Sequence, residues 1–222
     1  MQNNNFIIAI CGSPGSGKST LAELLARAFT DGNEFIPGTN PVVRIDIDQY
    51  QSFTDQAIED IEQWMEGEAD YNTFTIPQLD NDLADLKRGK TLQISGQKKP
   101  STAAGPIIFE THFGREHRAT GQHIDFMIWL ETPLDIALAR NIQAFCQDFL
   151  AGEEGHHRQQ IQWMMEYLTN YQQSVRATLA QQAQRLSSAA DVILDGQQNV
   201  DALTKQALAA FAKYQASMAE QS

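Results

Sequence analysis

The stretch AICGSPGSGKSTLAELLA, residues 9–26, decides the fold. It joins the end of an apolar run, FIIAIC (residues 6–11), to a segment with leucines at helical spacing, and GSPGSGKST (residues 12–20) lies between them. The run is rich in isoleucine and has no polar interruption, which predicts a central strand buried on both faces. Leu21, Leu24, Leu25 and Ala28 share one face of a helix that Asp31-Gly32 breaks. The residues between match G-x-x-x-x-G-K-[ST]. Glycines let the backbone turn so that successive N–H groups converge on an anion. The free N–H groups and dipole of the following helix favour the same charge. Gly12, Ser13, Gly15, Ser16, Gly17, Lys18, Ser19 and Thr20 are therefore the expected cradle for nucleotide phosphates. Lys18 is expected to bridge the β- and γ-phosphates, and the Ser19 hydroxyl is placed for Mg²⁺. A glycine-rich turn can also do no more than join a strand to a helix. Its place between a buried strand and an amphipathic helix favours phosphate binding, with ATP and Mg²⁺ as the expected cofactors.

Working outward, PVVRIDID (residues 41–48), GPIIFE (105–110), IDFMIWLE (124–131) and DVILDG (191–196) read as further strands. Helical patterns cover residues 56–65, 78–88, 133–149, 158–186 and 200–216, with Pro133 suited to a first helical turn. In residues 158–186 the apolar positions Ile161, Met164, Met165, Leu168, Tyr171, Val175 and Leu179 run at helical spacing. A coiled coil or partner helix is one reading. Core packing is the favoured one, because polar residues interrupt the stripe. SGQKKPSTAAGP (residues 95–106) reads as a loop. Five strands alternating with helices predict an α/β chain with a P-loop NTPase fold: a doubly wound, five-stranded parallel sheet with helices on both faces and a small helical lid. One domain is expected over residues 1–222, with the lid at about 141–160.

The 222 residues suit a single α/β domain. A formal net charge of -12 argues against wide contact with a nucleic-acid backbone. An anionic small ligand then needs a local site of backbone N–H groups, Lys or Arg, and a metal. Cys11 and Cys146 are the two cysteines, too few for a disulfide framework, and a reduced cytoplasmic setting is expected. The N-terminal apolar run is too short for a signal peptide, no segment reaches membrane-spanning length, and no membrane contact is expected. Nothing in the sequence fixes an oligomeric state.

The glycine loop and two acidic positions fall at predicted strand C-termini, the edge where open α/β sheets bind ligands. Asp46 and Asp48 end PVVRIDID and share a side if the strand continues that far. Phosphoryl transfer to an alcohol needs a carboxylate that orients the hydroxyl and accepts its proton, and Asp48 is favoured over Asp46 for that role. Either residue can instead serve as a cap or a solvated charge. Glu110 ends an otherwise apolar strand, where its carboxylate can meet Mg²⁺ directly or through water, or stand as a simple strand-end charge. His112, just beyond, can face a substrate or lie in an exposed loop.

The chain resembles the uridine kinase and phosphoribulokinase-like group of P-loop small-molecule kinases, in order along nearly its full length. The phosphate loop is GSPGSGKST, and IDIDQYQ is similar to the family's strand that ends in Asp, which puts Asp48 on the catalytic-base position. FTIPQLDNDLADLKRGK resembles the acceptor segment and the helix after it. GPIIFETHF resembles the strand that ends in Glu-Gly and puts Glu110 on the metal-linked position. IDFMIWLETPLDIALAR is similar to the strand and helix that enter the arginine-bearing lid, with Arg140 on its first arginine. AADVILDG resembles the last strand, whose following loop lies near the adenine. The resemblance implies an ATP-dependent kinase in which Lys18 and Arg140, with Arg158, neutralise the moving phosphoryl. The chain departs from the family in the lid, where ARNIQAFCQDFLAGEEGHHRQQ holds only Arg140 and Arg158. It departs on the acceptor side too: Thr75 stands where nucleoside kinases carry an Asp, Pro-x-Tyr-x-Phe-x-x-His-x-Arg is absent, and Thr111 replaces the glycine after Glu110.

Two readings follow. In the first, the chain moves a phosphoryl group from Mg-ATP to a hydroxyl of a nucleoside- or vitamin-like acceptor, with Asp48 as base. In the second, it is an ATP-binding regulatory or switch module without small-molecule kinase activity.

Overall fold

Ile7–Cys11 forms strand β1, and every residue in it is buried. The computed structural model describes residues 5–30, 42–50, 70–94, 100–103, 105–152 and 155–220. After β1 come α1 (Lys18–Thr30), β2 (Val43–Asp46) and a 3₁₀ turn at Ile47–Gln49. A second 3₁₀ turn (Tyr71–Thr73) leads to α2 (Pro77–Lys87) and a short antiparallel pair, β3 (Thr91–Leu92) with β4 (Ser101–Thr102). Then follow β5 (Ile107–Thr111), α3 (Arg118–Gly121), β6 (Phe126–Glu131) and α4 (Leu134–Ala151). α5 (His157–Asn170) runs through a π-helical turn (Tyr171–Val175) into α6 (Arg176–Ser188), and β7 (Val192–Asp195) and α7 (Val200–Glu220) complete the order.

The main sheet has the order β2-β5-β1-β6-β7, and all its pairings are parallel. This is the expected five-stranded, doubly wound sheet, with β1 at its centre. Strand alternation divides the core. Ile7, Ala9 and Cys11 pack with Leu79, Leu83 and Leu86 of α2 and Leu186 of α6. Ile8 and Ile10 pack on the other face with Leu21 and Leu25 of α1 and Leu203 and Phe211 of α7. The apolar residues of β1 are needed on both faces because helices cover both. Among the described residues no helix is long and apolar enough to cross a membrane.

Several expectations need correction. β2 stops at Asp46, so Asp48 lies in the 3₁₀ turn and not on the strand. The cause is local: the Asp46 carboxylate accepts the Asp48 backbone N–H at 3.0 Å and turns the chain out of the ladder. Pro133 is the N-cap of α4, with extended ψ of 135°, and not its first turn. The reading of residues 95–106 as loop missed β4, and residues 95–99 and 104 lie outside the described residues. The expected helix at residues 56–65 and the Asp31-Gly32 break also lie outside them. Core packing holds for the second half of the 158–186 stripe, where Tyr171 and Leu186 are buried, but α5 buries none of its residues. Ile161 and Met165 are 60% and 65% exposed. α5 instead pairs with α4 through aromatic contacts: Trp163 and Tyr167 stack at 5.5 Å, and Phe145 meets both edge-on at 4.9 and 5.3 Å.

Candidate functional site

The glycine loop leaves β1 at the carboxyl edge of the sheet and runs into α1. Gly15 has φ of +78° and Gly17 of +102°, backbone that L side chains rarely adopt. At Gly15 a Cβ would also lie 2.1 Å from the Ala137 carbonyl oxygen of α4. The Ser16 N–H donates to Ser13 O at 3.0 Å and closes the turn. The Leu21 N–H reaches Gly17 O at 3.0 Å, while those of Lys18, Ser19 and Thr20 have no carbonyl four residues back within the helix. Such a terminus, with the dipole behind it, is suited to an anion. Ser19 and Thr20 are exposed, Ser13 is buried, and the buried Ser16 hydroxyl has no hydrogen-bond partner among the described residues.

Lys18 curls over the loop, with Nζ donating to Gly12 O at 2.8 Å and Ser13 O at 3.1 Å. Burial pushes its pKa below the ordinary lysine range, while electrostatic interactions with Cys11 and with the carboxylates of Asp48, Glu110 and Asp46 oppose that shift. The interaction with the three carboxylates brings the phosphate loop and the acidic strand ends into one electrostatic unit.

Asp46 stands opposite Glu110 in the β2–β5 register. Glu110 is buried: its side chain is 4% exposed, and Oε1 accepts from Arg44 Nη2 at 2.9 Å. Its other oxygen, Oε2, is buried and has no hydrogen-bond partner among the described residues. A buried carboxylate oxygen without a donor is costly unless a cation or water completes it. That orphan oxygen fits Mg²⁺, which takes one or two carboxylates and relies on phosphates and water for the rest. Among the described residues no three His, Cys, Asp or Glu are grouped to hold a metal, so a magnesium ion here would depend on Glu110, Ser19 and the nucleotide itself.

Asp48 is more open, its side chain 59% exposed, and it meets His112 Nε2 at 3.2 Å through Oδ1 and 3.4 Å through Oδ2. The hydrogen bond to His112 holds the Asp48 carboxyl below the ordinary aspartate range, against the opposing effect of burial. Asp46 is shifted the other way, chiefly by burial, with Glu110 and Asp48 adding to the rise. The two neighbouring aspartates are therefore electrostatically distinct, and Asp48 is the one whose carboxylate meets His112.

The arginines divide. Arg140 Nη1 donates to Gly196 O at 3.2 Å and to Ser16 O at 3.4 Å, which ties α4 to the loop after β7 and to the phosphate loop. It borders a cleft shared with Thr20, Leu21, Gly196 and Gln198. Arg158 is exposed in the first turn of α5. The structure thus puts the glycine loop with Lys18, Glu110 and Asp48 on one edge of the sheet, and Arg140 reaches that loop at Ser16 O.

Three residues of this edge were not singled out from the sequence. Arg44 borders a cleft with Asp46, Gln49 and Glu110, and a charge two residues before Asp46 in an apolar strand was the available signal. Thr132 donates from Oγ1 to Ser16 O at 3.2 Å. Gln182 of α6 donates to the His112 carbonyl at 2.7 Å, and nothing in a glutamine-rich helix marks that one glutamine.

No protein-family model matches the chain, and no curated protein matches it. Solved structures to which it is similar include a sugar kinase from Janibacter sp. HTCC2649, in an unliganded state. It is 16% identical over 93% of this chain and 94% of that one, with a TM-score of 0.44. A gluconokinase from Sinorhizobium meliloti 1021 is 15% identical over 100% and 99%, with a TM-score of 0.45. A possible uridine kinase from Bacillus stearothermophilus is 18% identical over 70% and 86%, with a TM-score of 0.42.

Proposed function

We propose that the chain is an ATP-dependent phosphotransferase that acts on a hydroxyl of a small molecule of nucleoside- or vitamin-like kind. The observation that carries this reading is the shared carboxyl edge of the parallel sheet, where the glycine loop follows β1, Glu110 stands opposite Asp46 near the ends of β5 and β2, and Asp48 lies in the turn just after β2. Gly12, Ser13, Gly15, Ser16, Gly17, Lys18, Ser19 and Thr20 cradle the phosphates. Ser19 and Glu110 hold Mg²⁺, which when bound neutralises charge on the β- and γ-phosphates. Asp48 accepts the proton of the acceptor hydroxyl, and its depressed pKa keeps it ionised for that task. Lys18 bears the charge of the moving phosphoryl, with Arg140 and Arg158 as the cations of an α4–α5 lid. Most of the rate then comes from positioning and electrostatics. Thr75 is exposed where the uridine kinase pattern has an Asp, so the acceptor is assigned by class and not as uridine.

A second reading, a nucleotide-responsive module without turnover, draws on Arg140, whose guanidinium is engaged by two backbone carbonyls, and on the exposure of Arg158. One experiment separates them: incubation with Mg-ATP and a panel of nucleosides, vitamin precursors and sugars, followed by ADP release. Acceptor-dependent ADP that disappears in Asp48→Ala while nucleotide binding persists supports the kinase. Tight ATP binding with no acceptor-dependent ADP across the panel overturns it in favour of the second reading. Lys18→Ala weakens triphosphate binding under both, and an unchanged affinity would overturn the phosphate-loop assignment.

A further inference from the structure

We propose that His112 is the positioning residue for the Asp48 carboxylate, so that base and imidazole work as a dyad. This rests on the kinase reading above. The imidazole is built into place rather than free to choose a partner. Its backbone carbonyl accepts from Gln182 Nε2 at 2.7 Å, and Gln182 is itself buried on α6. The next residue, Phe113, donates its N–H to Thr111 Oγ1 at 3.2 Å, which fixes the turn out of β5. The His112 ring lies edge-on to Phe113 at 6.5 Å, and Phe113 stacks on Tyr71 at 4.8 Å and Phe74 at 5.6 Å. The imidazole therefore meets one buried ring, Phe113, which Tyr71 and Phe74 hold in turn, and its Nε2 lies within reach of both oxygens of Asp48.

Asp48 needs such a partner. Its backbone N–H is held by Asp46, but its side chain is more than half exposed and sits in a three-residue turn. An exposed carboxylate rotates about χ1 and χ2, and each wrong rotamer turns its oxygens away from an acceptor hydroxyl. A donor at Nε2 restricts that rotation while leaving lone pairs on both oxygens to receive the hydroxyl proton. His112 does not itself need to touch the acceptor, so its effect belongs to turnover and not to nucleotide binding.

The test compares His112→Ala, His112→Gln and His112→Asn with the wild type, using Mg-ATP and whichever acceptor of the panel gives the fastest ADP release. A Gln amide nitrogen reaches about as far as Nε2, whereas an Asn nitrogen reaches only as far as Nδ1. We expect His112→Ala to lower kcat by about ten- to hundredfold, the scale of a misplaced catalytic group. The KM for ATP should stay within about twofold of wild type, because neither His112 nor Asp48 belongs to the GSPGSGKST loop that holds the nucleotide in the proposed reading. His112→Gln should recover most of the loss and His112→Asn little of it. A thermal melt of each variant checks folding. Unchanged kcat in His112→Ala, or a His112→Gln no better than His112→Ala, overturns the dyad and leaves the kinase reading standing. Absence of acceptor-dependent ADP from the wild type overturns both.

Discussion

Replacing Glu110 with glutamine separates the metal role proposed for this residue from its structural role. Oε1 takes the Arg44 hydrogen bond, and Oε2 takes none from the described residues. At 2.9 Å, the Coulomb attraction of the pair is about 6 kcal/mol for an effective dielectric constant near 20. Desolvating the two ions costs several kcal/mol each where burial is complete. Arg44 is 38% exposed and can rehydrate, so most of the cost lies with Glu110. The two effects largely offset. A glutamine keeps the Oε1 acceptor for Arg44, a charge-assisted bond of about 1.5–3 kcal/mol, and sheds the buried negative charge. We therefore expect Glu110→Gln to change stability by less than about 2 kcal/mol, which for a chain of this length is less than about 8 °C in Tm.

The metal effect should be larger and separable. The assay is the ratio of ATP affinity with Mg²⁺ to that with EDTA, measured by calorimetric titration. Losing one carboxylate from a magnesium site should shrink that ratio by about ten- to hundredfold, while affinity in EDTA holds or rises because a negative charge near the phosphates is gone. A Glu110→Gln protein with the wild-type magnesium ratio would refute the assignment of the orphan oxygen to the metal. A variant that unfolds would refute the balance drawn between Coulomb attraction and desolvation.

Two further outcomes test other parts of the site and core. Asp46→Asn keeps the oxygen that caps the 3₁₀ turn but removes a charge whose ionisation the fold disfavours. Above the raised folded-state value Asp46 is ionised in both states, and only the folded state bears the penalty. Below the ordinary aspartate range, near pH 4, both states are protonated and the penalty vanishes. The variant should therefore melt above wild type at pH 7, with the difference shrinking as pH falls through the raised folded-state value. A difference that is constant with pH would refute the charge argument. For the thiols, Cys146 is exposed on α4, while Cys11 lies inside β1, with burial pushing its pKa up to about 12. A maleimide should label one thiol per native chain and two in denaturant, and rapid native labelling of both would contradict the buried central strand.

The fold was legible wherever burial on both faces leaves an unbroken apolar run. FIIAIC, PIIF and FMIWL each became a strand within a residue or two of its expected ends. It was less legible where one side chain overrides the pattern. IDID continues the alternation of β2, yet the Asp46 carboxylate captures the Asp48 N–H and ends the strand. The stripe at residues 158–186 has helical spacing throughout, but spacing cannot say what lies opposite. Its second half meets the sheet, while its first half meets α4 through Phe145, Trp163 and Tyr167 and leaves Ile161 and Met165 outside.

The site divides along the same line, for a physical reason. The phosphate half is made of consecutive backbone groups, so nine adjacent residues, GSPGSGKST, carry its whole geometry and can be read at once. The other half is made of side chains that meet only after the sheet has formed. Asp48 and His112 are 64 residues apart, Arg44 and Glu110 are 66, and His112 and Gln182 are 70. The β2–β5 register sets Asp46 opposite Glu110, and α6 then sets Gln182 against His112. Each contact depends on a different pair of elements, so no short pattern encodes the cluster. On the kinase reading proposed above, substitutions around Arg44, Asp48 and His112 should alter which hydroxyl compound is accepted while leaving nucleotide affinity unchanged. An acceptor switch in this chain should be sought at the ends of β2 and β5 and on the inner face of α6, and not in GSPGSGKST.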